Sequence, residues 1–277
     1  MRIARDNESV NRFALLSAAF LAAGPVYAAK LTPQAAAAFD RYTALTEAKI
    51  HDEQANGHFL GMADSPAAKQ ELRAGQTLIQ AGATRDKGKK IDAPGAMIQD
   101  WIGAVFMPGA TIAQTRAVLQ DYENYKSYYQ PDVIASRLIS RKGGEFEVFL
   151  RLFKKQILTV IFNAVYDVRY SMPDPQHMYV VSHSTRIAQV KDPKNPDGPE
   201  DPVGDDSGFL WRLNSYWRFE QADGGVYAEC RAISLSRDVP GFLAWMVRSF
   251  IDKFPKESMQ NTLRGTREAI LKQVHAR

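Results

Sequence analysis

Between residues 97 and 235 the apolar positions recur mostly in twos, and on either side of that stretch they recur at intervals of three and four. From Met97, Ile98, Asp100, Ile102 and Ala104 alternate with Gln99, Trp101, Gly103 and Val105, which predicts a strand ending at Met107-Pro108-Gly109. Val133 to Arg141 and Glu145 to Phe153 predict a hairpin across Lys142-Gly143-Gly144, where glycine supplies positive backbone angles. Ile157 to Tyr170 and Met178 to Val190 read as two further strands joined through Pro173-Asp174-Pro175. Phe209 to Glu220 and Val226 to Leu235 read as a pair across Ala222 to Gly225. Lys191 to Ser207, with its prolines and carboxylates, reads as a surface loop.

The helical segments flank and interrupt this strand-rich region. Pro33 to Ile50 predicts an amphipathic helix with Thr32 as its cap, Pro33 at the first position, and Phe39, Tyr42, Leu45 and Ala48 on one face. Ala67 to Ala74 predicts a short helix. Gly75 to Ala96 reads as loop with one strand at Gln76 to Ala81. Thr111 caps a helix carrying Ile112, Thr115, Val118, Leu119 and Tyr122, and aromatic-rich Tyr125 to Tyr129 follows it. A long terminal helix from about Gly241 to Val274 carries Phe242, Trp245, Met246, Ser249 and Phe250, then Met259, Leu263, Thr266 and Ile270, and Pro255 is expected to kink or split it. Strand, helix, a run of antiparallel strands and a closing helix make an α+β arrangement with the sheet backed by helices.

The first residues change the picture of where the chain works. Arg2, Arg5 and Arg12 precede an apolar run from Phe13 to Ala23, followed by Gly24-Pro25 and Val26-Tyr27-Ala28-Ala29, the layout of a cleavable signal peptide over residues 1–28. The run is about half of the roughly 20 residues that a spanning helix needs. A periplasmic or secreted location is therefore expected. Removing residues 1–28 takes three cations (Arg2, Arg5, Arg12) and two anions (Asp6, Glu8), so the formal charge of +4 falls by one. So mild an excess, scattered along the chain, argues against nucleic acid as a partner. The cluster Arg85, Lys87, Lys89 and Lys90 reads as a solvated loop, with transient contact to an anionic membrane surface as its alternative use. The single Cys230 cannot form an intramolecular disulfide, so stability rests on a packed core, which 45% hydrophobic residues can build.

The element order, with Asp100-Trp101-Ile102-Gly103-Ala104-Val105-Phe106 opening the sheet and Trp211-Arg212-Leu213-Asn214-Ser215-Tyr216-Trp217 in a late strand, resembles the START-like (SRPBCC) superfamily over residues 97–275. The stretch Glu229 to Pro240 is similar to exported bacterial proteins of that superfamily. The resemblance implies a helix-grip fold in residues 97–277, preceded by a partly helical extension over 29–96. That extension would cover the cavity mouth, pack on the sheet or act as a tether. A helix-grip fold implies a curved sheet wrapped on the terminal helix with a hollow for an apolar guest, most simply a lipid. Its ligand-binding candidates are Phe162, Tyr166, Trp211, Tyr216 and Trp217 on strands and Trp245 and Phe250 on the terminal helix, large amphipathic groups suited to such a pocket.

Charges within the strands leave two arrangements open. Arg212, Asn214, Tyr216 and Arg218 share one face of their strand, and Trp211, Leu213, Ser215, Trp217 and Phe219 share the other. With the second set inside, Arg212 and Arg186 would pair with Glu229 as an outer ladder, which is the favoured arrangement. With the first inside, these three would form a polar head-group site, so they stand as binding candidates too. No histidine spacing fits a metal site, no cofactor motif is present, and no catalytic residue is assigned. Adjacent strand positions keep His183 from serving Ser182 or Ser184. A cyclase-type reaction would use a His, Tyr or Arg in the cavity to polarise a carbonyl and move a proton, and His183 with Tyr166 or Tyr216 could do that. The sequence thus reads as a monomeric carrier or sensor of an apolar small molecule, with a cyclase- or hydratase-type enzyme and a partner-docking module as alternatives.

Overall fold

The computed structural model describes residues 29–155, 159–238 and 241–275, with side chains described from residue 256 onward in the last of these. The expected signal segment lies outside the described residues. At the centre of the molecule are eight strands: β2 (Leu78–Ala81), β5 (Ala96–Pro108), β6 (Val133–Lys142), β7 (Glu145–Lys155), β8 (Thr159–Asp174), β9 (His177–Gln189), β11 (Arg212–Ala222) and β12 (Gly225–Arg237). They form one antiparallel sheet in the order β2-β5-β12-β11-β9-β8-β7-β6. Short pieces complete the β-structure: β1 (Ala29–Lys30) pairs with β10 (Asp205–Asp206), and β3 (Arg85–Asp86) with β4 (Lys89–Lys90). The β6–β7 hairpin closes at Lys142 opposite Glu145, with Gly143 at φ 62°, a backbone angle open to glycine at no steric cost.

Among the described residues, five α-helices accompany the sheet: α1 (Pro33–Ala55), α2 (Pro66–Arg73), α3 (Ile112–Leu119), α4 (Tyr125–Tyr128) and α5 (Gly241–His275). The predicted caps are in place. Thr32 accepts a hydrogen bond from the Ala35 amide with Pro33 following, and Thr111 and Gln114 form a reciprocal capping box. The seat of α1 differs from expectation. Ala35, Phe39, Tyr42, Thr43, Thr46 and Ile50 are its buried residues, whereas Ala48 is exposed and Leu45 half-buried. The threonines can be buried because their hydroxyls return to the helix's own carbonyls, Thr43 to Phe39 and Thr46 to Tyr42. Pro255 does not split α5, which runs unbroken through it. One missing amide is tolerated when the following turns are anchored, here by Met259, Leu263 and Ile270 in the core. Among the described residues no helix is long and apolar enough to cross a membrane.

The two faces of the sheet carry separate cores. Val105, Val148, Phe162, Tyr166, Val180, Trp217, Phe219 and Cys230 pack with α3 and with Met259, Leu263 and Ile270 of α5 on the inner face. On the outer face, Phe39, Tyr42 and Ile50 of α1 pack on Tyr179, Tyr216, Ile233 and Leu235, and Leu60, Ala63 and Leu72 pack on Ala104, Phe106 and Tyr227. Of the three roles open to the extension 29–96, the structure selects packing on the sheet, and its β2 adds an edge strand beside β5. The α+β helix-grip arrangement expected from the sequence is the one observed, with a second helical layer on the sheet's back.

Candidate functional site

Cross-strand registers resolve the inner face into rows. One row runs Tyr170, Val180, Trp217, Cys230, Gly103 across β8, β9, β11, β12 and β5. It is sealed by α5, which approaches so closely that a Cβ on Gly103 would stand 2.6 Å from Leu263 Cδ1 and 2.9 Å from Met259 Cγ. The next row is Val168, Ser182, Ser215, Ala232, Trp101. Beyond it come Tyr166 and Ser184 on β8 and β9, then Leu213, Ser234 and Gln99 on β11, β12 and β5. Ser182, Leu213, Ser215, Ala232, Ser234, Gln99 and Trp101 are all only half-buried, although their strands lie in the interior of the sheet. Towards the β7 side, Leu150, Leu152 and Val160 are half-buried as well. A close-packed interior would seal such positions. Half of the inner face is therefore closed core, and the other half is only partly covered by the described side chains.

Tyr166 stands at the boundary of the two halves. Its ring is packed in the inner core, and its hydroxyl is buried without a hydrogen-bond partner among the described residues. Burial alone holds its phenol well above the ordinary tyrosine range, so the hydroxyl is a neutral donor and acceptor. At the rim, where β7 ends beside α5, lies a cleft of about 150 Å³ between Asp132, Phe153, Lys154, Ser258 and Asn261. The Lys154 ammonium spans it, 2.6 Å from Asp132 Oδ2 and 3.0 Å from Ser258 Oγ. Burial lowers the affinity of Lys154 for its proton, and the Asp132 carboxylate opposes that shift.

The predicted site residues do not gather in one place. Phe162, Tyr166 and Trp217 share the inner core, with Trp217 stacked on Phe219 at 5.5 Å between ring centres. Trp211, Tyr216 and Glu229 belong to the outer face and do not line the inner space. Trp211 precedes the first paired residue of β11 and escapes its alternation, its indole donating to Asp206 Oδ1 at 3.2 Å. Arg186 is exposed and paired with Glu200 of the 191–207 loop, and Arg212 is half-buried at the start of β11. The side chains of Trp245 and Phe250 lie outside the described residues. The head-group arrangement is overturned, since the Tyr216 and Arg218 face is the outer one. The outer ladder has the expected face and different partners. Glu229 stands directly across from Arg218 and pairs with it, whereas Arg212 lies opposite Leu235, too far along the strand to reach.

The outer face holds what the local pattern did not reveal. Arg218 also binds Glu53 of α1 at 2.6 Å, and Glu229 accepts the Ala63 amide at 2.8 Å. Arg231 and Asp100 form a second buried pair, capped by the Tyr42 hydroxyl at 2.7 Å from Asp100 Oδ2. Glu47 of α1 accepts from Tyr216 and contacts His183 Nε2, both at 2.8 Å. His183 thus lies on the face opposite Tyr166 and outside the inner space, beside Tyr216 at 6.0 Å between ring centres. Its outward parity was the available signal. Among the described residues no group of three His, Cys, Asp or Glu is placed to hold a metal ion.

No family model and no curated protein matches the chain. Solved structures do. TTHA0849 from Thermus thermophilus aligns at 13% identity and TM-score 0.44, covering 64% of this chain and 98% of that one. A STAR-related lipid transfer protein from Xanthomonas axonopodis aligns at 18% identity and TM-score 0.43, covering 71% and 98%. The Zhui aromatase/cyclase from a Streptomyces species aligns at 12% identity and TM-score 0.42, covering 65% and 96%. Likeness at this level carries no argument about ligand or activity, and the functional reading rests on the chain's own geometry.

Proposed function

We propose that the protein is an exported carrier or sensor that holds a lipid or another apolar small molecule against the open half of the inner face, without covalent chemistry. The observation that carries the reading is the half-buried state of Trp101, Leu213 and Ala232 on interior strands, beside the sealed Trp217 row. Apolar surface left in contact with water is unfavourable by about 25 cal/mol per Å², and each methylene of a guest that displaces that water contributes roughly 0.8 kcal/mol. The basic, apolar and small-residue order of residues 1–28 supports export. Native mass spectrometry of the chain, expressed with its leader and purified without detergent, tests the proposal. The expected spectrum shows the polypeptide plus a discrete excess mass that organic solvent extracts. A bare polypeptide mass, together with no uptake of an apolar fluorescent reporter such as N-phenyl-1-naphthylamine, overturns it.

A further inference from the structure

Beside the outer-face core, β10 holds a carboxylate that is only half satisfied. Asp206 is 3% exposed. Its Oδ1 accepts the Gly208 amide at 2.6 Å and the Trp211 indole at 3.2 Å, whereas its Oδ2 is buried with no hydrogen-bond partner among the described residues. A buried carboxylate oxygen left unpaired is costly, and the group that relieves it best is a cationic donor. Burial, and then the neighbouring Asp201 and Asp205, hold the Asp206 carboxyl above the ordinary aspartate range, as expected of a carboxylate that lacks a counter-charge. The nearby cations are turned elsewhere. Lys30 is exposed, and the Arg237 guanidinium lies over the Phe209 ring at 5.7 Å.

The strand partner of Asp206 is Ala29. The Leu31 amide donates to the Gly204 carbonyl at 2.7 Å, so two residues back Ala29 and Asp206 form the same hydrogen-bonded kind of antiparallel pair, with Cα atoms about 5.5 Å apart and the Ala29 nitrogen turned towards Asp206. Ala29 and Leu31 pack against the core that contains Trp211, and a Cβ on Gly208 would stand 3.0 Å from the Ala29 Cβ. A chain end frays unless it is tied down, and here the backbone is tied down from Ala29 itself. Val26-Tyr27-Ala28 is the small-residue pattern that a signal peptidase cuts, and it ends immediately before Ala29.

We propose that hydrolysis of the Ala28–Ala29 peptide bond by a signal peptidase creates an α-ammonium on Ala29 that pairs with Asp206 Oδ2 and locks the new amino terminus onto β10. Water adds across the bond, leaving the carboxylate on the released leader and the ammonium on the mature chain. The proposal rests on the export reading and adds the cleavage point and the fate of the new terminus. The full chain is secreted with its leader, then trace-labelled with 1-fluoro-2,4-dinitrobenzene over a range of pH and hydrolysed in acid. Dinitrophenyl-alanine is expected, with an intact mass that assigns the terminus to residues 29–277. In the folded protein its formation at pH 8 should be at least about tenfold slower than in urea, with half-maximal reactivity at least about one pH unit above the ordinary α-amine value of about 8. Asp206→Asn keeps the acceptor for Gly208 and Trp211, and it should return that midpoint to about 8, a readout that packing alone would not move. A midpoint near 8 in the folded parent overturns the proposal whether or not the variant folds, and so does a raised midpoint that Asp206→Asn leaves in place. A terminus at any residue other than Ala29 overturns the proposal and leaves export standing, whereas a chain that keeps its leader overturns both.

Discussion

Removing the Asp100 carboxylate tests whether the extension truly seals the back of the sheet. Asp100 and Arg231 are 6% and 5% exposed. The guanidinium Nε donates to Asp100 Oδ1 at 2.9 Å, and Nη2 donates both to Oδ2 and, at 2.8 Å, to Thr84 Oγ1. Tyr42 donates to Asp100 Oδ2 and accepts the Thr84 amide at 2.8 Å, so α1, the 82–95 loop and two strands meet in one network. Burial by itself would lower the proton affinity of Arg231, yet the adjacent carboxylate raises it, and the cation stays in place. Asp100→Ala leaves that cation buried with only the neutral hydroxyls of Thr84 and Tyr42 beside it, a loss expected to cost about 3–5 kcal/mol. In a chain of this size that lowers the melting temperature by roughly 10 °C. Replacing both partners, Asp100→Leu with Arg231→Met, is expected to recover most of the loss, because an apolar pair needs no counter-charge. Urea unfolding followed by tryptophan fluorescence measures these variants, and hydrogen exchange should find the α1 amides opening first in Asp100→Ala. A single variant within about 1 kcal/mol of the parent would mean that water reaches Arg231, and the sealed outer face would have to be abandoned.

Three further outcomes follow from the same geometry. Gly103→Ala inserts a methyl where Leu263 and Met259 already stand, so chemical denaturation should show a loss of about 1–3 kcal/mol with the fold retained. Tyr166→Phe deletes a buried hydroxyl that has no partner among the described residues, and the variant should be as stable as the parent or up to about 1 kcal/mol more stable; a clear loss would contradict this. For Glu47, burial raises the pKa, but the His183 and Tyr216 hydrogen bonds outweigh it and leave the folded-state value below the ordinary 4.5. Its contribution is therefore fully present above that value and lost as pH falls through the lower folded-state value, so Glu47→Gln should flatten the acid limb of the stability curve, measured by urea midpoints between about pH 3 and 7.

Local signals carried much of the fold. Thr32-Pro33 and the Thr111–Gln114 box mark helix starts because capping depends on a few neighbouring groups, and Lys142-Gly143-Gly144 marks a hairpin because the turn needs a positive backbone angle. Period-two alternation alone separates Trp217 and Phe219 from Tyr216 and Arg218. It failed at Trp211, one residue outside the paired strand, where nothing enforces the pleat. It was also silent on the serines, since a single hydroxyl on a strand has no meaning until its neighbours across the sheet are named.

What the amino-acid order determined by itself was therefore which residues share a side: the strands, their turns, the capped helices and the two alternating sets on each strand. Only the tertiary structure decided which set faces α5 and which faces the extension, that Glu229 meets Arg218 rather than Arg212 or Arg186, and that four serines and Tyr166 form adjacent rows. The reason is geometric. Alternation is a property of a single strand, whereas register and the choice of covering layer arise from contacts between residues far apart in the chain, which no local pattern records.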